Sequence, residues 1–174
     1  VIGVLFLVAT TKNSDSFRVM RVLVWLQPEK YSDEGGYQTL QALYAIGSGG
    51  LFGRGLGNSI QKLGSVPEAQ NDMIFSIICE ELGLAGAGII VFLFLLLIWR
   101  FFMIASGSRD LFGALIATGA MAHMMIQVVL NIAVVTNTIP NTGITLPFIS
   151  YGGTSVMFLL IEMGLVLSVS QVVD

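Results

Sequence analysis

Four acids crowd into one stretch of this chain, SVPEAQNDMIFSIICEELG at residues 65–83. Glu68 and Asp72 stand just before an apolar run, and Glu80 and Glu81 sit inside it. Read as one helix, Asp72, Ser76 and Glu80 recur every four residues and share a face. Glu80 then lies about 12 Å beyond Asp72, at roughly 1.5 Å per residue. No charge follows from Leu82 to Trp99. A carboxylate at the mouth of a membrane helix, with a second turned into the bundle, is costly. Such groups mark places where a substrate, an ion or a proton is handled. A second feature precedes them. GSGGLFGRGLGNSIQKLG, residues 47–64, sets Arg54 and Lys62 among glycines. Bare backbone and cations can approach an anion closely, as a phosphate cradle does. The pattern is neither a Walker nor a dinucleotide motif, and a flexible glycine loop is the simpler reading.

The elements that must position these groups are apolar. Of 174 residues, 55% are hydrophobic and only 11% charged, with a mean hydropathy of +0.84. Soluble domains carry about 25% charged residues, so the composition is that of an all-α polytopic membrane protein. The net charge of −3 comes without a basic tract, which argues against nucleic acid as a partner. Cys79 can form no internal disulfide and reads as a small packing residue.

Val1–Ala9 is too short to span a bilayer and has no basic leader. It reads as the end of a truncated transmembrane helix, and the chain as the C-terminal piece of a larger protein. Residues 10–72 form a large loop with amphipathic helices. In FRVMRVLVWLQP, Phe17, Met20 and Trp25 oppose Arg18 and Arg21, which suits a helix in the membrane interface or one packed on protein. GYQTLQALYAIG places Tyr37, Leu40 and Tyr44 at helical spacing before Gly47, Gly49 and Gly50 stop it. Ser65 and Glu68 form a capping box with Pro67 in the first turn, so a helix starts near Ser65 and runs, with room for a kink, into a span at 73–99. A short loop at 100–110 holds Arg100, Arg109 and Asp110. Spans at 111–135 and 154–172 flank a second loop, 136–153, through Pro140 and Pro147. His123, Gln127 and Asn131 make a polar stripe suited to interhelical hydrogen bonds. Glu162 lies mid-span and must face protein or water, or stay protonated. The arginines of the short loop place it in the cytoplasm and put Asp72 and the Pro140–Pro147 loop outside. The long loop holds six of the eight basic residues but also six acids, and short loops dominate this rule.

GYQTLQALYAIGSGGLFGRGLGNSIQKLGSVPEAQNDMIFSIICEELGLAG and, later, NTGITLPFISYGGTS closely resemble the SEDS family (shape, elongation, division and sporulation) of FtsW, RodA and SpoVE-like peptidoglycan polymerases. The resemblance spans nearly the whole chain, and Gln70-Asn71 with ISYGGTS look more like the division and sporulation branch. Family members can carry histidine at Gln70, phenylalanine at Met73 and proline at Thr145, departures that leave Asp72 untouched.

The resemblance implies a ten-helix bundle of which this chain matches the end of the seventh helix, the large extracytoplasmic loop and helices eight to ten. It implies glycan polymerisation from lipid II at the outer face of the bacterial cytoplasmic membrane, with Asp72 essential. Asp72 would then act as general base on the acceptor hydroxyl. Glu68, Gln70, Glu80, Ser150 and Tyr151 would contact substrate. The leaving diphosphate would meet Arg54, Lys62 or a divalent cation, Mg or Mn, held in part by Asp72 or Glu68. The implied partners are lipid II, the growing glycan strand, a class B penicillin-binding transpeptidase and other division or sporulation membrane proteins. The isolated piece would be inactive. The alternatives are a lipid II flippase or transporter using Glu80, Glu162 and the broken Pro140–Pro147 region, and a non-catalytic scaffold for a transpeptidase.

Overall fold

The computed structural model describes residues 17–32, 36–61 and 71–171. They form five helices: α1 Phe17–Leu26, α2 Gly36–Gly49, α3 Ile74–Gly107, α4 Leu111–Val135 and α5 Gly153–Ser170. No strand occurs among the described residues. α3, α4 and α5 are long and apolar enough to cross a membrane. The readings of Val1–Ala9, the Ser65–Glu68 capping box, Lys62, Glu68 and Gln70 lie outside the described residues.

Apolar side chains gain little from leaving lipid, so the helices are held by close packing of small and shaped residues. On α3, buried Ala87, Phe94 and Phe101 alternate with half-buried Ile90, Leu97 and Ile104. That spacing of threes and fours makes a straight seam along one side of the helix. The same core takes Ala120, Met124 and Val128 from α4 and Val166 from α5. Outward faces carry Phe92, Leu95, Trp99, Phe102 and Leu160, all exposed, as suits a surface not solvated by water. α2 turns a face of Thr39, Ala42, Ala45 and Gly49 inward, while Tyr37 and Tyr44 point out.

α1 is tied to protein at its C-terminal end. The Trp25 indole donates to the Asn137 carbonyl at 2.9 Å, Asn137 Nδ2 returns a bond to the Trp25 carbonyl at 3.4 Å, and Arg21 reaches the Asn141 carbonyl at 3.3 Å. The loop after α4 and the first amphipathic helix therefore lie at the same end of the bundle.

Two boundaries differ from expectation. Asn71–Met73 is a turn, and α3 starts only at Ile74 with Met73 as its N-cap. Asp72 thus precedes the helix instead of sharing a face with Ser76 and Glu80, because side chains from other elements capture the backbone there. Arg100, expected in a loop, lies on α3, since nothing in FFMIAS breaks a helix before Gly107. The connecting loop is short, and Asp110 caps α4 by accepting from the Gly113 amide at 3.3 Å.

Candidate functional site

α3 is broken at Gly83, whose φ of 70° and ψ of −175° are not helical. In an unbroken helix the Leu84 and Ala85 amides would donate to the Glu80 and Glu81 carbonyls. The glycine-rich loop takes all four freed groups instead. Arg54 and Gly55 amides donate to the Glu80 and Glu81 carbonyls, each at 2.9 Å, while Leu84 and Ala85 donate to Gly50 and Leu51 carbonyls, each at 3.0 Å. A helix can break in apolar surroundings only where its freed backbone finds partners in this way. The contact is backbone against backbone. A Cβ on Gly53 would sit 2.1 Å from the Glu81 carbonyl oxygen, and one on Gly49 would sit 1.9 Å from that of Cys79. Close approach explains these glycines.

The same loop does cradle an anion, and it is the protein's own. Glu80 is fully buried. The Ser59 hydroxyl donates to its Oε2 at 2.5 Å, the Ile60 amide to Oε1 at 3.2 Å and the Gln61 amide to Oε2 at 3.4 Å. Arg54 Nη1 stands 3.5 Å from Oε1, and its Nε donates to the Ser48 carbonyl at 3.4 Å. A buried carboxylate is tolerated only with its lone pairs filled, as here. Glu80 and Arg54, both read from the sequence as substrate contacts, are engaged with each other. Glu80→Gln would turn one oxygen into a donor facing donors. It should lower stability by about 2–3 kcal/mol, read as a lower thermal midpoint of the detergent-solubilised protein. An unchanged midpoint would deny the carboxylate this structural part.

Asp72 sits half-buried on its turn. Asn131, fully buried on α4, donates through Nδ2 to the Asp72 carbonyl at 2.8 Å and to the Ile144 carbonyl at 2.7 Å. The Ser150 hydroxyl donates to the Asn71 carbonyl at 2.7 Å and accepts from the Leu146 amide at 2.7 Å. Ser150, expected to contact substrate, thus spends its hydroxyl on backbone, whereas neighbouring Tyr151 is exposed. Between Leu146 and Ser150, Phe148 has a φ of 60°, and the Ile149 amide bonds the Pro147 carbonyl at 2.8 Å across it. This is a tight turn that non-glycine residues adopt only under strain.

Asn131 belongs to the polar stripe read from the sequence, but its bonds run to a turn and a loop instead of another helix, because the backbone carbonyls freed there need a donor. The identity of its partners could not be read, since they lie 59 and 13 residues away. Mid-span, His123 Nδ1 lies 3.0 Å from both Glu162 oxygens, so the deep acid faces protein. Among the described residues no three acidic, histidine or cysteine side chains converge to hold a metal ion.

A family model described as cell cycle protein, covering FtsW, RodA and SpoVE, matches residues 1–174. The chain is 48% identical to stage V sporulation protein E of Bacillus subtilis over 158 residues, which is 91% of this chain and 43% of that protein. It is 45% identical over 146 residues to a probable peptidoglycan glycosyltransferase FtsW of the same organism, covering 84% of this chain and 36% of the relative. The chain thus spans less than half the length of these curated relatives. A solved chain from a study of how a peptidoglycan synthase complex coordinates polymerization and crosslinking superposes with a TM-score of 0.71 at 30% identity. That match covers 98% of this chain and 48% of the other.

Proposed function

Because the chain belongs to the cell cycle protein family of FtsW, RodA and SpoVE, we propose that it carries the outer-loop catalytic part of a peptidoglycan glycosyltransferase that polymerises glycan strands from lipid II for division or sporulation. The observation that carries this reading is Asp72 itself. It is a half-buried carboxylate on a turn at the head of a membrane-spanning helix, with its backbone held from two other elements. A hydroxyl of one sugar attacks the anomeric carbon of the next while the lipid diphosphate departs from it. Asp72 takes the hydroxyl proton as the new carbon–oxygen bond forms. Positive charge for the leaving diphosphate comes from Lys62 and from the exposed part of Arg54. A divalent cation, Mg or Mn, held in part by Asp72 or Glu68, would add charge for the leaving group. The partner is a class B penicillin-binding transpeptidase, a reading supported by the coordination of polymerization with crosslinking in the structural relative.

The test is synthesis of glycan chains from purified lipid II by the full-length protein, compared with its Asp72→Asn variant. The reading also sets sidedness: Asp72 and the 136–153 loop lie outside, and the Arg100–Arg109 end inside. With Cys79 removed, single cysteines at Ser65 and Ser108 should react with an impermeant thiol reagent from opposite sides of the membrane. Reaction from one side would overturn the orientation.

A further inference from the structure

We propose that Asn131 and Ser150 are positioning residues that together aim the Asp72 carboxylate, an inference that rests on the role given to Asp72 above. The carbonyl of Asn71 marks the peptide plane before the Asp72 Cα, and the carbonyl of Asp72 marks the plane after it. Peptide units are rigid, so fixing both planes fixes the two backbone torsions of Asp72 and with them the direction of its Cβ. Ser150 holds the first plane and Asn131 the second, with bonds of 2.7 and 2.8 Å. Each clamp is itself braced. Asn131 shares its amide between Asp72 and the Ile144 carbonyl; two carbonyl acceptors leave one orientation for that amide. Ser150 is locked by the Leu146 amide on its oxygen and by its own amide on the Leu146 carbonyl at 3.1 Å.

The arrangement is not the one that stability alone would select. Asn131 Oδ1 is buried and meets no hydrogen-bond partner among the described residues, a cost of about 1–3 kcal/mol. The loop that delivers Ser150 holds Phe148 at positive φ, a further cost on the order of 1–3 kcal/mol. Two unfavourable features converge on one turn, and what that turn carries is Asp72. Such local cost with a rigid result is the mark of a preorganised site.

The experiment uses the full-length protein with lipid II. Asn131→Ala and Ser150→Ala should each lower kcat by about 10–100-fold with KM little changed, because a displacement near 1 Å is enough for losses of that order. Ser150→Thr, which keeps the hydroxyl, should recover most of the rate. A second readout needs no activity: with Cys79 removed and Asp72→Cys in place, Asn131→Ala should raise the rate of thiol modification about tenfold as the turn gains freedom. If Asn131→Ala does not fold, the Ser150→Ala and Ser150→Thr pair carries both measurements. Unchanged kcat, or a lower kcat with an unchanged thiol rate, would overturn the positioning role. Wild-type activity in Asp72→Asn would instead remove the catalytic reading, while the thiol rates would still report whether the clamp exists.

Discussion

Asp72→Asn in the full-length protein is expected to lower the rate of glycan synthesis from lipid II by about 10²–10⁴-fold, the usual contribution of a general base. The substitution keeps size and shape and removes the charge that accepts the proton. Folding should survive, because the bond that ties this residue to Asn131 is made by its backbone carbonyl, which asparagine also has. Glu162→Gln should matter far less to the rate. Its carboxylate is paired with His123 in the middle of α5, too deep to reach a headgroup sugar. A transporter would show the opposite order, with the mid-span pair essential and the mouth acid dispensable. Wild-type polymer yield from Asp72→Asn, at equal expression, would sink the mechanism.

Gly83→Ala should be, with Gly53→Ala, among the most damaging single methyl additions at the described residues. An L-residue at a φ of 70° and a ψ of −175°, a region essentially confined to glycine, costs on the order of 1–3 kcal/mol before any contact is counted. The new Cβ would also stand 2.3 Å from the Gly53 amide nitrogen and 2.5 Å from the Leu51 carbonyl oxygen, both backbone atoms that cannot swing aside. Making room separates the loop from the broken helix and strands the four groups that now bond across the gap. The expected loss exceeds about 4 kcal/mol, in the range where single substitutions abolish folding. Size-exclusion chromatography in detergent should show aggregated or missing protein. Gly88→Ala, five residues on, is the control: a Cβ there meets nothing within 4 Å, and the change should be neutral or gain up to about 1 kcal/mol. Equal behaviour of the two variants would refute the brace between loop and helix.

What could be read from the residues alone follows from what is local. Long uncharged runs disclosed the spans, and the small charge content disclosed the solvent. Asp72 stood out because a carboxylate at the edge of such a run is rare. Two kinds of information were not legible. One is backbone pairing: Gly83 and the loop glycines carry no side chain to announce that Gly50–Gly55 would lie along Glu80–Ala85. Each glycine alone could equally mean freedom or a close approach. The other is the partner of a polar side chain. Glu80 was visible as a misplaced charge, but its caps at Ser59, Ile60 and Gln61 come from about twenty residues away and have no periodicity. His123 and Glu162 were each conspicuous, yet nothing in either helix says that they meet. The helical face drawn through Asp72, Ser76 and Glu80 failed for a related reason. Periodicity assumes that the helix has begun, and long-range bonds to Asn71 and Asp72 delay its start to Ile74.

The two bonds that hold the Asp72 turn also set an order in time. Ser150 follows Asn71 by 79 residues, and Asn131 follows Asp72 by 59. At synthesis rates of about 5–20 residues per second, the turn waits roughly 4–16 s after its own translation before its last clamp exists. Trp25 waits longer still for Asn137, 112 residues downstream. The turn before α3 therefore emerges unfinished, and the segment entering α5 is what completes it. A ribosome stalled before Ser150 leaves a chain whose spans can insert but whose acid has no fixed aim, so the site comes into being only when the last helix is being made.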